Sequence, residues 1–367
     1  MSTKICVIYN YAQHYRKDIF CLMDRDMNCD FVFGDKLSDI KKMNYEDLKG
    51  FKKEVKNVKF VRYPLYYQKG ILSLLHEEYT IYLMLGESIC VSTWLMLILA
   101  KFTKKRIYLW SHGWYGKESM MRSFMKKIFF SLAQGVFLYG KHAKNLMMDQ
   151  GIKKDKLHVI YNSMNYLEQR NHRKKLKETE IFANHFNNNF SNLIFIGRLT
   201  TIKQLPLLVN AVSVLRERNI EVNLTFVGGG EMENELKDLV AKYRLEKYIW
   251  FYGPCYDELK IAELLYNADL CVSPGNVGLT AMHVMGYGTP VITHDCFPLQ
   301  MPEFEAIKEG VTGAFFKYGD LSSLVDGIKF WLSSEVDRES VRKKCFEVID
   351  EKYNPNYQIE VLKKYLN

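Results

Sequence analysis

The residues of this chain best suited to hold a diphosphate are two cations that follow a buried strand. Arg198 and Lys203 are five positions apart on the segment "FIGRLTTIKQLPLLVNAV", in which a predicted strand leads into a predicted helix. Gly197 permits a tight turn where the strand ends. An arginine fork and a lysine point charge can hold two phosphates together. The segment therefore predicts a phosphate-binding loop, and surface charges beside a helix start are the structural alternative.

A second candidate for anion binding is the segment "SPGNVGLTAMHVMGYGTPVITH", residues 273–294. It predicts a strand end, a glycine turn, a helix that begins near Leu279 and another strand. Backbone amides at such a helix start, here those of Val277, Gly278 and Leu279, attract phosphate together with the helix dipole. His283 lies one turn into this helix. It could bond a ribose or sugar hydroxyl, and a satisfied core histidine is an equally good interpretation.

A third group of candidates surrounds the segment "YLWSHGWYGKES", in which His112 is a catalytic candidate and the aromatic residues are assigned to the acceptor side. His112 ends a predicted strand, and a side chain at the carboxyl end of a parallel strand points toward the ligand crevice. Trp114 and Tyr115 follow it and could stack on a sugar or a lipid-linked acceptor. The alternative is a structural loop with aromatic anchors. Gln13, in the first strand-to-helix loop, is assigned to the same side.

Positioning these residues requires parallel sheets, and the order of apolar segments predicts two of them. Buried strand segments alternate with helical segments through the first half of the chain, and the alternation restarts in the second half. The pattern predicts an α/β fold of two doubly wound Rossmann-like domains that face each other across a cleft. The expected domains are residues 1–165 and 191–350, joined by a polar linker at 166–190. Residues 351–367 are expected to form a helix that packs back on the first domain.

Composition agrees with a globular protein of two domains and excludes several other classes. The chain has 367 residues, which is longer than a domain with a single ordinary core, and 48% of the residues are hydrophobic, which is enough to fill two cores. The apolar segment 79–102 contains Glu87 and a predicted turn, so a strand and a buried helix are favoured over a membrane span. The eight cysteines of the chain include no CxxC pair, and no secretion signal is evident. Reduced thiols in the cytoplasm are therefore favoured over a zinc site or disulfide bonds.

No metal site and no cofactor is predicted. Asp24-Arg25-Asp26 has the DxD spelling of metal-dependent glycosyltransferases, but it lies at a predicted helix end before a strand. That is the edge of the sheet opposite the expected crevice, so a solvated turn is the favoured interpretation. The Gly-rich segment "FVGGGEMENEL" lacks the lysine of a P-loop and is a weak signal of ligand binding.

Positive charge is concentrated in the first half of the chain. Residues 1–190 contain 32 Lys and Arg against 18 Asp and Glu, whereas the whole chain has 51 against 42. The net charge of +9 therefore belongs to the first half. This favours an anionic partner, either the inner face of the cell membrane or a phosphate-bearing substrate, although a solvated basic face is the simpler alternative. No nucleic-acid-binding motif is present, so nucleic acid is not expected as a partner.

Four segments together carry a resemblance to a known family. They are "GRLTTIK", "HVIYNSMNY", "FYG…ELLYNADLCVSP" and "GYGTPVITHDCFPLQMPEFEAIKEGVTGAFF", and most of them fall within residues 192–330. This part of the chain resembles the family 4 glycosyltransferases, which have the GT-B fold. The resemblance implies retaining transfer of a sugar from a nucleotide-diphosphate donor to a lipid-linked or saccharide acceptor, usually without a metal. UDP is favoured over GDP as the donor's nucleotide because it is more common in the family.

The resemblance also implies roles for individual residues. Arg198 and Lys203 would hold the diphosphate, and the amides of Val277, Gly278 and Leu279 would hold phosphate and sugar hydroxyls. Backbone near Gly253 and Pro254 would line the base, and His112 would approach the transferred sugar.

The chain departs from the family pattern at two positions. The family has two glutamates where this chain has Gly275 and His283. Asn276 or backbone would then have to make the sugar contact, and a neutral His283 could still bond the ribose. Three hypotheses follow: an active variant for surface polysaccharide synthesis, which is favoured, a nucleotide-sugar-binding scaffold without catalysis, and an epimerase-type enzyme.

Overall fold

A computed structural model describes residues 4–35, 41–333 and 337–366 of the chain. The chain divides into two compact units. Unit 1 comprises Met1–Asn165 together with Asn354–Asn367, and unit 2 comprises Tyr166–Tyr353.

Unit 1 is built on a parallel sheet whose strands are buried on both faces. Its strands are β1 (Ile5–Tyr9), β2 (Cys29–Gly34), β3 (Phe51–Val55), β4 (Asn57–Lys59), β5 (Tyr66–Gln68), β6 (Ile81–Leu85), β7 (Arg106–Ser111), β8 (Gly135–Leu138) and β9 (Leu157–Val159). Seven of them pair in the order β3-β2-β1-β6-β7-β8-β9, and β4 and β5 form a separate antiparallel hairpin. Both faces of the sheet are covered, which is why its central strands are continuous apolar segments.

Two layers of helices cover this sheet. They are α1 (Lys17–Asp26), α2 (Val91–Ala100), α3 (Met120–Leu132), α4 (Lys141–Asp149) and the C-terminal helix (Pro355–Leu366). On one face α1 and the C-terminal helix share a core that includes Phe20 and Leu362. On the other face α2, α3 and α4 contribute Met96, Phe129 and Met147 to a second core.

Two expectations for unit 1 are confirmed, whereas the strands β3, β4 and β5 were not predicted. The apolar segment 79–102 is indeed β6, a turn and α2, and no helix in the described ranges is long and apolar enough to cross a membrane. Asp24 accepts hydrogen bonds from the backbone amides of Lys49 and Gly50, both at 2.8 Å, so its role is structural. Strand β3 is an edge strand of sequence "FKKEV", whose charged residues hide the strand pattern.

Unit 2 repeats the architecture of unit 1 with six parallel strands. These are β10 (Ser191–Ile196), β11 (Val222–Val227), β12 (Ile249–Gly253), β13 (Leu270–Ser273), β14 (Val291–His294) and β15 (Gly313–Phe316). They pair in the order β12-β11-β10-β13-β14-β15. Its helices are α5 (Tyr166–Arg173), α6 (Ile181–Phe186), α7 (Leu205–Glu217), α8 (Glu233–Lys242), α9 (Glu258–Asn267), α10 (Leu279–Gly286), α11 (Leu321–Trp331) and α12 (Arg338–Lys352).

The segment expected to be a linker is folded instead. Residues 166–190 contain α5 and α6, which pack against α9 and α10 of unit 2. Tyr166, Gln169, Phe182 and Phe186 are buried. Only a few side chains anchor these short helices, so the polar, Asn-rich sequence around them masked their contribution.

Candidate functional site

The loops that carry the predicted diphosphate-binding residues meet at one point of the unit 2 sheet. Strand order reverses between β10 and β13, so the loops that follow these two strands border the same crevice. Gly197 and Arg198 follow β10, and residues 274–278 follow β13. The structure therefore brings together two segments that are distant in sequence, at the place where open α/β sheets bind ligands.

Lys203 is held at this point by the loop that follows β13. Its Nζ donates to the backbone oxygen of Asn276 at 2.6 Å and to the side-chain oxygen of Asn276 at 2.9 Å. Burial, with a further contribution from the nearby positive charge of Arg198, lowers the pKa of Lys203 to about 8. The two loops are thus joined through a cation whose charge is weakly compensated.

Arg198 remains available to a ligand. Its side chain is exposed, and within the described ranges it makes no hydrogen bond or ion pair with a carboxylate. An exposed guanidinium beside a half-buried ammonium is an arrangement that favours a bound anion over either cation alone.

Gly275 packs against the backbone of the other loop. Its amide donates to the backbone oxygen of Lys203 at 2.9 Å. A Cβ at this position would overlap the backbone oxygen of Ile202 and come within 2.6 Å of the Cα of Lys203. A glutamate therefore does not fit here without separating the two loops, so the glycine is explained by packing rather than by loss of a catalytic group.

The start of α10 offers uncapped amides, as predicted, but one of the three is occupied. Gly278 begins the helix with φ 53° and ψ −147°, a conformation that only glycine adopts readily, and no side chain caps the helix. The amide of Val277 donates to the side-chain oxygen of Gln300 at 2.8 Å and is buried. The prediction that Val277 binds phosphate is therefore wrong for this structure, and the half-exposed Gly278 and Leu279 remain candidates.

His283 has a carboxylate partner that the sequence did not reveal. Its Nε2 lies 2.9 Å from Oε1 of Glu258, the first residue of α9, and the hydroxyl of Tyr287 donates to the same oxygen at 2.7 Å. Burial alone would raise the pKa of Glu258, but the hydrogen bond and charge of His283 together with the Tyr287 bond hold it below its usual value. A carboxylate is thus present beside His283 of α10, and it is supplied by the neighbouring helix α9.

The residues predicted to line the base lie beside the glycine turn that follows β11. Gly253 accepts a hydrogen bond from the amide of Gly228 at 2.9 Å, and a Cβ at Gly229 would lie 3.1 Å from the Pro254 ring. Pro254 is exposed, and nothing lies within 4 Å of a Cβ placed on Gly253. Open space therefore borders this backbone.

The predicted catalytic histidine lies in unit 1. His112 follows β7 and lines a cavity of about 210 Å³ together with Glu87, Tyr115, Arg122 and Lys126. Burial, followed by the charges of Arg16 and Lys126, lowers the pKa of His112 to about 4. The imidazole is therefore neutral near pH 7, which suits hydrogen bonding to a sugar hydroxyl.

Trp114 does not have the predicted role. It is only 3% exposed, its Nε1 donates to Ser123 at 2.9 Å, and its ring packs on Phe130 at a centroid distance of 5.5 Å. It is an anchor of the loop, because its ring completes the core beneath α3. Tyr115, by contrast, is half-buried and borders the cavity. Gln13 lies in the loop before α1 and is not among the described residues that line this cavity.

Two further residues of unit 1 escaped the sequence argument. Glu87 follows β6, where it accepts hydrogen bonds from Tyr66 at 2.8 Å and Asn10 at 3.2 Å, and burial raises its pKa. Arg16 is only 6% exposed and lies over the rings of Tyr9, Trp110 and Tyr139. The signal that could have identified Glu87 is a carboxylate directly after a buried strand.

Comparison with known proteins agrees with this geometry. Residues 177–347 match the model of the family described as glycosyl transferases group 1. The match covers a little less than half of the chain and falls within unit 2. A Klebsiella pneumoniae relative, described as an uncharacterized 41.2 kDa protein in the cps region, is 24% identical over 232 residues, or 59% of this chain and 58% of that protein. The match spans between 35% and 58% of the length of this relative and of two other curated relatives.

Solved glycosyltransferase structures match the fold along the whole chain. The Anabaena protein HepE, crystallised with UDP, has a TM-score of 0.71 and 14% identity, with 99% of both chains covered. The lipopolysaccharide outer core galactosyltransferase WaaB has a TM-score of 0.72 and 16% identity, also with 99% of both chains covered. The expectation of two Rossmann-like α/β domains of the GT-B class is therefore confirmed.

Proposed function

We propose that this glycosyltransferase transfers a sugar, with retention of configuration, from a nucleotide-diphosphate donor to an acceptor in surface polysaccharide synthesis. The observation that carries the proposal is the unit 2 crevice, in which Arg198, Lys203 and the uncapped start of α10 converge. An anion placed there meets two cations and the free amides of the helix start. Among the described residues, no carboxylate forms an ion pair with Arg198 and competes with the anion for it.

The proposed chemistry follows from where charge develops. As the glycosidic bond to the diphosphate breaks, negative charge grows on the leaving phosphate oxygens. Lys203 and the amides at Gly278 and Leu279 are held by the fold before the reaction, so they stabilise that charge without further reorganisation, and Arg198 adds a second positive charge. The acceptor hydroxyl then attacks the sugar carbon on the face that the departing diphosphate leaves, and its proton passes to the leaving phosphate oxygen.

We assign the other donor contacts within unit 2. The backbone at Gly253 and Pro254 borders open space and would take the base. The pair formed by His283 and Glu258 would bind the ribose hydroxyls, since both residues offer polar atoms near the helix start. Asn276, oriented by Lys203, would contact the sugar. UDP is the favoured nucleotide, and HepE, which shares the fold, was crystallised with UDP.

We assign the acceptor to unit 1. The cavity beside His112 is lined by Tyr115, by the partnered Glu87 and Lys126 and by the exposed Arg122, so it offers several hydrogen bonds to a hydroxyl-rich ligand. His112, neutral and at a strand end, is the residue of this unit assigned to the reacting sugar. The relative's location in a cps region and WaaB's named role support a polysaccharide or glycolipid acceptor. The positive first half is proposed to act at the inner face of the cell membrane, where such acceptors are anchored.

The scaffold hypothesis loses its motive in this structure, because Gly275 is explained by packing between two loops. Product analysis without acceptor separates transfer from epimerisation, since an epimerase needs no acceptor.

The test is Arg198→Ala, with Arg244→Ala as the matched control. Both arginines are exposed residues of unit 2, but Arg244 follows α8 and lies outside the crevice loops. Titration calorimetry with UDP should show at least about a tenfold loss of affinity for Arg198→Ala, since a charge-assisted hydrogen bond is worth about 1.5–3 kcal/mol. Arg244→Ala should bind as the wild type does. Equal affinity in all three proteins would remove the diphosphate assignment.

A further inference from the structure

Two helices of unit 1 expose apolar stripes that no part of the fold covers in the described structure. On α2 and just beyond its end, Leu95, Ile98, Leu99 and Phe102 follow the spacing of one helical face, and Phe102, two residues after the helix, is 83% exposed. Such a stripe normally faces a core. The core-facing side of α2 is a different one, formed by residues that include Met96 and Leu97.

Helix α3 repeats this arrangement. Met121, Phe124, Met125 and Ile128 have the same spacing and are all exposed, with Met121 at 77% and Phe124 at 61%. The buried side of α3 is again separate and includes Phe129. Both helices are therefore apolar on two sides, and only one of these sides packs against the sheet.

The two stripes belong to one surface. Trp94 of α2 packs on Phe129 of α3 at a ring-centroid distance of 5.0 Å, so the helices are neighbours on the same face of the sheet. We call the exposed residues of both stripes the apolar face. An apolar surface of this extent on a soluble domain marks an interaction site.

Charge around the apolar face selects its partner. Residues 91–132 contain eight Lys and Arg and a single acidic residue, Glu118, which forms a 2.7 Å ion pair with Lys126. Lys101, Lys104, Arg122 and Lys127 are exposed beside the stripes. A second copy of this chain would present the same positive charge and be repelled. A bilayer with anionic headgroups offers both an apolar interior and a complementary surface charge.

We propose that the apolar face inserts into the headgroup region of an anionic bilayer, with the surrounding lysines and Arg122 on the lipid phosphates. The proposal rests on the proposed function, because it gives a route for a lipid-linked acceptor. Ile89 and Arg122 line the cavity beside His112, and both are exposed near the apolar face. An acceptor headgroup can therefore enter the cavity while its lipid chain stays in the bilayer.

The first experiment tests insertion. The full chain and the double variant Phe102→Gln/Phe124→Gln are sedimented with vesicles of phosphatidylglycerol and phosphatidylethanolamine. Both phenylalanines would be buried in the bilayer, so their replacement should lower the partition coefficient at least about tenfold. Phe330→Gln is the matched control, because Phe330 is a half-exposed phenylalanine of unit 2, and it should partition as the wild type does.

The second experiment separates charge from insertion. Lys101→Gln/Lys104→Gln/Lys127→Gln should weaken binding at least about tenfold at low salt and flatten its salt dependence. A triple lysine-to-glutamine variant at the exposed unit 2 positions Lys242, Lys247 and Lys317 should do neither. Vesicles of phosphatidylcholine alone should bind the wild type weakly, since they lack net charge.

Outcomes distinguish this proposal from the function on which it rests. Unchanged partitioning of Phe102→Gln/Phe124→Gln overturns it. The proposal is also overturned if the wild type is a dimer in sedimentation velocity and the double variant is a monomer, since a second copy of the chain would then cover the apolar face. The UDP-induced shift in melting temperature should be the same in wild type and variants, which shows that unit 2 is intact. Vesicle binding as expected without any UDP shift would support the docking face and count against the proposed donor.

Discussion

Unit 1 and unit 2 each place loops where the strand order of a parallel sheet reverses, between β1 and β6 and between β10 and β13. In unit 1 the carboxylate and the guanidinium at this point contact neighbouring uncharged side chains. Glu87 is bonded to Tyr66 and Asn10, and Arg16 lies among aromatic rings. In unit 2, by contrast, Arg198 is exposed and has no carboxylate partner among the described residues.

The difference shows how one architecture can prepare two crevices for different ligands. A crevice lined by a hydrogen-bonded carboxylate and a neutral histidine offers hydrogen bonds, which suits a neutral sugar. A crevice with uncompensated cations and helix amides attracts an anion. The division between acceptor and donor in our proposal follows from this contrast, and three experiments can break or sharpen it.

The largest effect is expected from Gly275→Ala. A single Cβ overlaps the backbone of Ile202 and Lys203, and backbone cannot move aside as a flexible side chain can. We expect the free energy of unfolding to fall by about 2–3 kcal/mol. Turnover should fall about a hundredfold, because the loop that orients Lys203 is displaced. Thermal melting and transfer assays measure the two effects.

The matched control for this substitution is Gly327→Ala. A Cβ on Gly327 of α11 meets only the Cδ1 of Ile292 at 3.7 Å, so alanine should be tolerated there. If Gly275→Glu, which restores the residue typical of the resembled family, proved more active than the wild type, the packing explanation would be wrong.

A smaller effect is expected from His112→Ala in unit 1. Transfer should fall at least about tenfold, which is the low end for a positioned catalytic group, while UDP affinity stays unchanged. Because burial keeps the pKa of His112 near 4, turnover in the wild type should show no histidine inflection between pH 6 and 7. An inflection there that disappears in His112→Gln would contradict the neutral histidine. A loss of UDP affinity in His112→Ala would contradict the assignment of the donor nucleotide to unit 2, since unit 1 would then hold the nucleotide.

The smallest effect concerns the pH dependence of donor binding in unit 2. The pKa of Lys203 is lowered to about 8, so its positive charge is present at pH 7 and decreases as the pH rises through 8. UDP affinity should therefore weaken by up to about fivefold between pH 7 and 9. Lys203→Arg stays charged over this range and should flatten the profile. A wild-type profile as flat as that of the arginine variant would mean that Lys203 does not face the diphosphate.

The fold, and the placement of candidate residues at strand ends, were largely predictable from the sequence, for a local reason. Buried parallel strands are continuous apolar segments, and their carboxyl ends carry the ligand loops, so Arg198, Lys203 and His112 could be assigned by position alone. Strand β3 and helix α5 were missed because their sequences are dominated by charged and polar residues. Strands β4 and β5 and helix α6 were missed because they are only three, three and six residues long.

The sequence by itself determined which residues end strands and which begin helices, because that pattern is written in neighbouring positions. Only the tertiary structure decided what each of these residues contacts. It placed the Val277 amide on Gln300, buried Trp114 beneath α3, and gave His283 a carboxylate from α9. It also showed that Gly275 is held against Lys203, more than seventy positions earlier in the chain. Such contacts join residues that are distant along the chain, and no local pattern encodes them.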